Sequence, residues 1–136
     1  DKKIIMSQIK ELNEEVKCTL APSPIHGIGV FALRDIIKGE KLYCDIRQYK
    51  TYDIPYGKLD GLRPEIQKII LERYPCIING SAFGSPNNVH LVTFMNHSEN
   101  PNYDKDINLR DIQKGEEITE DYRTMPNYEK IFDFLN

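Results

Sequence analysis

Two stretches near the C-terminal end decide how this chain reads: Asn96-His97-Ser98-Glu99-Asn100-Pro101-Asn102, and Gly115-Glu116-Glu117-Ile118-Thr119-Glu120-Asp121-Tyr122. Each follows an apolar segment that reads as core. His90-Leu91-Val92-Thr93-Phe94-Met95 leads into the first, and Ile107-Asn108-Leu109-Arg110-Asp111-Ile112, a predicted strand, precedes the Lys114-Gly115 turn that opens the second. Far upstream stands His26-Gly27-Ile28-Gly29-Val30-Phe31-Ala32, where two residues without Cβ leave a turn whose backbone a ligand can approach closely. This glycine pair is not a dinucleotide fingerprint, because the third glycine and the βαβ context are missing.

In this order and at these spacings the three motifs resemble those of the SET domain, the catalytic domain of protein-lysine methyltransferases that use S-adenosylmethionine. The resemblance covers about residues 16 to 124. It implies a mostly β, β-clip-like fold with short helices, several small sheets and a knot-like C-terminal crossing, its threaded loop shaped by Pro101 and Asn102. It also implies that cofactor and peptide enter from opposite faces and meet at a tyrosine.

The bulk properties agree with such a domain. A length of 136 residues suits a single domain over 1–136. No run nears the roughly 18 apolar residues of a membrane span, and the N-terminus lacks the long apolar stretch of a signal peptide. A soluble intracellular protein of cytoplasm or nucleus, not bound to a membrane, is therefore expected. A formal net charge of −3 argues against direct nucleic-acid binding, which needs concentrated Lys and Arg, and suits a lysine-rich protein partner better. Cys18, Cys44 and Cys76 are widely separated with no Cys-x-x-Cys pair, so no metal site is expected and each reads as a small buried hydrophobe. In this respect the chain resembles a minimal SET domain without zinc-binding flanks.

Periodicity supplies the remaining elements. Ile5, Ile9, Leu12 and Val16 predict a flanking helix within residues 1–15, amphipathic over 6–15, and Val16 to Leu20 predicts a strand ended by Pro22 and Pro24. Alternation at Leu42, Cys44 and Ile46 predicts a strand over Lys41 to Tyr49. Pro64 at a first helical turn, with Leu62, Ile66, Ile69 and Ile70 on one face, predicts a helix over about 63–73 inside a segment of about 50–89. The resemblance makes that segment a variable insert forming one wall of the substrate groove. Tyr128, Ile131, Phe132 and Leu135 predict a docked helix within 124–136.

The resemblance implies a role for particular residues. Methyl transfer to a lysine amine is an in-line displacement that needs no metal, so the protein must hold the reactants in register and deliver a neutral amine. Lysine starts near pKa 10.4, and burial beside a positive sulfonium lowers that value. The tyrosine that orients the amine is Tyr122, which also meets the cofactor. Gly27, Ile28, Gly29, Asn96 and His97 are the other implied cofactor contacts, those of His97 largely through its backbone. With no cysteine-rich segment after Tyr122, Phe132 or Tyr128 on the C-terminal helix is expected to cover the adenine. Glu116 and Glu117 read as turn and strand-start carboxylates without a catalytic role. His26 and His90 read as structural.

Three positions depart from the family pattern. Glu120 stands where an aromatic or apolar residue usually lines the lysine channel. If 118–122 is extended, it shares a side with Tyr122. An ungapped match from Gly39-Glu40 puts Asp45 where a channel tyrosine is common, with Tyr43, Tyr49 and Tyr103 as other sources of a channel oxygen. Glu99 stands where a cysteine is frequent. A carboxylate at 120 either stabilises the ammonium and hinders attack or accepts its proton. The expected activity is therefore methylation of a lysine in a protein or peptide, histones being one candidate class. The alternative is a catalytically weak SET module that binds a peptide or partner protein. Oligomeric state is open.

Overall fold

The computed structural model describes residues 1–42, 51–52, 56–73, 83–84, 91–125 and 128–135. Helix α1 (Lys2–Glu15) opens the chain, its first turn capped by the Asp1 carboxylate, which accepts from Lys3 N at 2.9 Å. Strands β1 (Cys18–Pro22) and β2 (Ile28–Ala32) form an antiparallel hairpin with Leu20 opposite Val30. Ser23 organises the connecting turn: its N–H donates to Gly27 O at 2.8 Å and its Oγ accepts from Ile25 N at 3.0 Å. Gly27 takes a φ of +47°, which a residue with a Cβ rarely adopts.

A short pair, β3 (Thr51–Tyr52) and β4 (Phe83–Gly84), flanks a 3-10 turn (Tyr56–Gly61) and helix α2 (Pro64–Arg73). Pro64 begins α2 because the first helical position needs no backbone donor. A 3-10 turn, Leu91–Phe94, leads to β5 (Asn96–His97). Then come the β6 (Tyr103–Asp104) and β7 (Ile107–Asn108) hairpin, β8 (Glu117–Glu120), a 3-10 turn (Tyr122–Thr124), helix α3 (Tyr128–Ile131) and a last 3-10 turn (Asp133–Leu135). Mostly β with short helices is thus the observed class.

Strand order in the main sheet is β1-β2-β8-β5. β8 runs antiparallel to β2, with Val30 opposite Ile118, and parallel to β5, with Asn96 opposite Thr119 and His97 opposite Glu120. The order puts the C-terminal strand between two segments that precede it, so all three sequence motifs meet on neighbouring strands. Val30, Ala32 and Ile118 form the floor of a core completed by Cys18, Ile36, Leu42, Met95, Tyr103 and Ile112. Full burial of a side chain such as Ile118 contributes about 1.5–3 kcal/mol.

Several local expectations shift. The first helix begins at Lys2, earlier than residue 6, and β1 starts at Cys18 and continues into Pro22. The strand foreseen over 107–112 is only two residues long, after which Ile112 makes an isolated bridge to Ile36. At the C-terminus the regular helix covers four residues and yields to a 3-10 turn, which changes the period of the apolar face. Most of the strand foreseen over Lys41 to Tyr49 lies outside the described residues, as do Cys44, Cys76 and His90. Cys18 is buried and His26 exposed. No described helix is long and apolar enough to cross a membrane. No cluster of metal-ligating side chains occurs among the described residues.

Candidate functional site

The site begins with a polar cluster beneath the glycine turn. Asn96 is buried, and its Nδ2 lies within donating distance of Ser23 Oγ (3.1 Å), His26 O (3.1 Å), Ile28 O (3.3 Å) and Glu117 Oε2 (3.0 Å). Ser23 in turn donates to the Glu117 carboxylate at 2.8 and 2.9 Å. The Asn96 amide therefore ties β5 to the carbonyls on either side of Gly27 and fixes the shape of the turn. Gly27 itself has open space where a Cβ would be.

Asn102 plays the corresponding part at the other end of the loop. Its Oδ1 accepts from Thr119 N at 2.8 Å and its Nδ2 donates to Glu117 O at 2.8 Å, so one side chain imitates a strand neighbour along β8. Such a buried amide is well matched, with donor and acceptor both used.

Tyr122 leaves β8 by a turn that Asp121 caps. The Asp121 carboxylate accepts from Arg123 N at 2.9 Å and is gripped by the Arg123 guanidinium at 2.7 Å, which holds its pKa down to about 2. Regular strand ends at Glu120, so the extended run to Tyr122 that would align the two side chains is interrupted. Tyr122 N donates to His97 Nδ1 at 3.0 Å, and its hydroxyl donates to Met95 O through a short bond. That carbonyl belongs to a fully buried core residue. The phenol is thereby pinned at both ends.

An aromatic group closes around it. The Tyr122 ring lies 4.6 Å from Phe132 at 31°, 5.3 Å from His97 and 6.4 Å from Phe134, centroid to centroid. Phe132 and Phe134 meet edge-on at 5.8 Å, and Phe134 leaves 69% of its surface exposed. Because His97 Nδ1 accepts a backbone proton, the ring proton resides on Nε2, which is buried with no hydrogen-bond partner among the described residues. An orphaned buried donor beside an exposed aromatic is a place where a polar, ring-bearing ligand could dock.

Glu120 stands across the ladder from His97 and therefore on the same side of the sheet. Burial, helped by the neighbouring Asp104 carboxylate, pushes its pKa up to about 7. Asp45, Tyr43 and Tyr49 lie outside the described residues. Tyr103 is buried in the core cluster.

The structure thus brings Gly27, Ile28, Gly29, Asn96, His97, Tyr122 and Phe132 onto adjoining segments, with Glu120 beside them. Three participants escaped the sequence reading: Ser23, Glu117 as the carboxylate bracing the turn, and Phe134. Glu117 lay in view within its motif, although nothing local ties it to Ser23. Phe134 falls off the helical face because the helix has ended before it.

The family model for the SET domain matches residues 27–123. Among solved structures, one from Plasmodium falciparum described as a "putative histone methyltransferase" is similar at 20% identity, covering 78% of this chain and 92% of its own, with a TM-score of 0.47. No curated protein matches. The matched span opens on the glycine turn and closes one residue past Tyr122, enclosing all but His26 of the three motifs that the sheet draws together; the chain belongs to the SET domain family, a family of methyltransferases.

Proposed function

We propose that this protein transfers a methyl group from S-adenosylmethionine to a lysine side chain of a protein substrate. The observation that carries the reading is the fixed phenol of Tyr122, anchored on the Met95 carbonyl and walled by Phe132 and His97. Three features support a fit of the cofactor: the open space above Gly27, the His97 Nε2–H that has no partner among the described residues, and the exposed face of Phe134 beside Phe132, which suits an adenine ring. When bound, the cofactor supplies an electrophilic methyl on a sulfonium and retains the electron pair of the broken C–S bond.

The chain's own residues then do the remaining work. Tyr122 orients the amine through its hydroxyl oxygen, whose proton is already directed to the Met95 carbonyl. The amine must be neutral to attack, so Glu120, with a carboxyl titrating near 7, takes the ammonium proton before the C–N bond forms and leaves the nitrogen lone pair free to displace the sulfide. Phe132 packs against the phenol ring and Phe134 meets it edge-on, which holds the ring in place beside the amine. The acidic balance of the chain favours a basic, lysine-rich protein segment, histones included, as substrate.

Tritium transfer from labelled S-adenosylmethionine to mixed histones and to a cell extract, compared between the natural protein and Tyr122→Phe, tests the proposal. Incorporation that disappears in the variant is expected. Cofactor binding by calorimetry without any incorporation would favour a second reading, a SET module that binds a peptide without turnover. The observation behind that reading is again Glu120, whose ionised form would hold a lysine as the unreactive ammonium.

A further inference from the structure

The N–H groups at the exit of β8 show what holds Tyr122 in its place. The 3-10 turn Tyr122–Thr124 makes its own bonds with Thr124 N, which donates to Asp121 O at 3.1 Å, and Met125 N, which donates to Tyr122 O at 3.0 Å. The two N–H groups before these have no acceptor inside the turn, as at any helical start. Asp121 caps one of them, Arg123 N, at 2.9 Å. The other, Tyr122 N, donates to the imidazole of His97 at 3.0 Å.

His97 reaches that N–H because of where its strand runs. It ends β5 opposite Glu120, which ends β8. Ser98 N still donates to Glu120 O at 2.9 Å, and the register of the two strands goes no further. Nδ1 of His97 then takes the next rung in place of a carbonyl, so a side chain carries the pairing one residue past the strand. The imidazole is largely buried, with 12% of its side-chain surface exposed, and little water competes for the bond. An unprotonated Nδ1 has no proton to offer the Asp121 carboxylate 3.7 Å away, which Arg123 engages instead at 2.7 Å.

We propose that the side chain of His97 is a positioning residue for methyl transfer, acting through Tyr122: it holds the main chain of the tyrosine while Met95 O holds the hydroxyl. The role rests on the methyltransferase reading. Both grips come from one short run, residues 95 to 97, so the phenol oxygen is placed relative to β5. Loss of the main-chain grip leaves the tyrosine hinged on its hydroxyl, and a displacement of about 1 Å at a reacting group costs about 10²-fold in rate.

Two substitutions separate this role from packing. In Asn the side-chain oxygen stands on Cγ, as Nδ1 does, so His97→Asn keeps an acceptor for Tyr122 N–H and gives up the Nε2–H. In Gln the amide lies one atom further out, level with Nε2, so His97→Gln does the reverse. Thermal midpoints show that both variants fold. Tritium transfer from labelled S-adenosylmethionine should then split the two constants: His97→Asn raises the cofactor KM, whereas His97→Gln lowers kcat to about tenfold or more below that of His97→Asn. Nuclear magnetic resonance of the nitrogen-15-labelled protein reads the same contact without turnover. The natural chain should show coupling across the hydrogen bond between Tyr122 N and His97 Nδ1, with the ring in its Nε2–H tautomer. The Tyr122 amide should exchange with solvent about tenfold or more faster in His97→Gln than in His97→Asn. Absence of the coupling overturns the proposal, as does equal exchange or equal kcat in the two folded variants. A natural chain that shows the coupling yet transfers no methyl to histones or extract counts against the methyltransferase reading alone, and the exchange rates then decide whether His97 anchors Tyr122.

Discussion

The carboxylate of Glu117 fills the space that a side chain on Gly29 would need: a Cβ at Gly29 would run into Glu117 Oε2 and lie 2.9 Å from its Cδ. The second glycine of the turn is therefore required by the protein's own polar cluster, whereas the first, Gly27, faces open space. Glu117 cannot swing away freely, because Ser23 and Asn96 both donate to it.

Gly29→Ala should lower stability by about 1–3 kcal/mol, through strain and weakened hydrogen bonds to Glu117. Glu117→Ala in the same chain removes the obstructing atoms, so the double variant should lose less than the sum of the two single losses. Denaturant melts of the four proteins measure this coupling. Simple additivity would show that the two residues do not compete for the same space.

Tyr122→Phe deletes one hydroxyl that donates to Met95 O. Stability should fall by only about 0.5–1.5 kcal/mol, while methyl transfer should drop by a factor of about 10² or more. Calorimetric titration with S-adenosylmethionine should show binding largely retained. A proportionate loss of binding and turnover would mean that the hydroxyl holds the cofactor rather than the amine.

Glu120 gives the protein a pH dependence of definite sign. Its carboxyl titrates near 4.5 when the chain is unfolded and about 7 when folded, so the native state binds that proton more tightly. The associated stability is complete below 4.5, declines as pH rises, and is gone above 7. Its ceiling is about 3 kcal/mol. Glu120→Gln should match the natural protein near pH 4.5 and exceed its stability at pH 8. Urea melts at several pH values between these limits check the trend, and a gap that fails to widen with pH would refute it.

Glu40 behaves in the opposite sense. The Arg34 guanidinium at 2.6 Å, the Ile37 N–H and the Lys17 ammonium at 3.3 Å hold its pKa down to about 2. The stability it contributes is present above 4.5 and is lost as pH falls through 2. Glu40→Gln should cost about 1–3 kcal/mol at pH 7, and the two proteins should converge toward pH 2. Acid titration followed by circular dichroism would reveal the convergence.

Much of this was legible from residue order. Tyr122, Asn96, His97 and the glycine turn declare themselves because their identities and spacings are local. Helices α1 and α2 do so because an apolar face repeats over ten or more residues, and Pro64 marks where α2 begins. The β6–β7 hairpin was not legible: Lys105 and Asp106 both adopt positive φ, +48° and +71°, at positions with no glycine or asparagine to announce the turn. Strands of two residues are likewise too short to show an alternation.

The sequence by itself determined which side chains make up the three motifs and which short segments hold them. Only the tertiary structure decided their mutual placement. Inserting β8 between β2 and β5 lets Ser23 reach Glu117 across 94 residues, and a hydrogen bond of that separation leaves no periodic trace in the chain. The same insertion sets Glu120 beside His97 and buries its carboxyl near Asp104. Its elevated pKa arises from loss of water and a neighbouring charge, two quantities that exist only once distant segments have packed together.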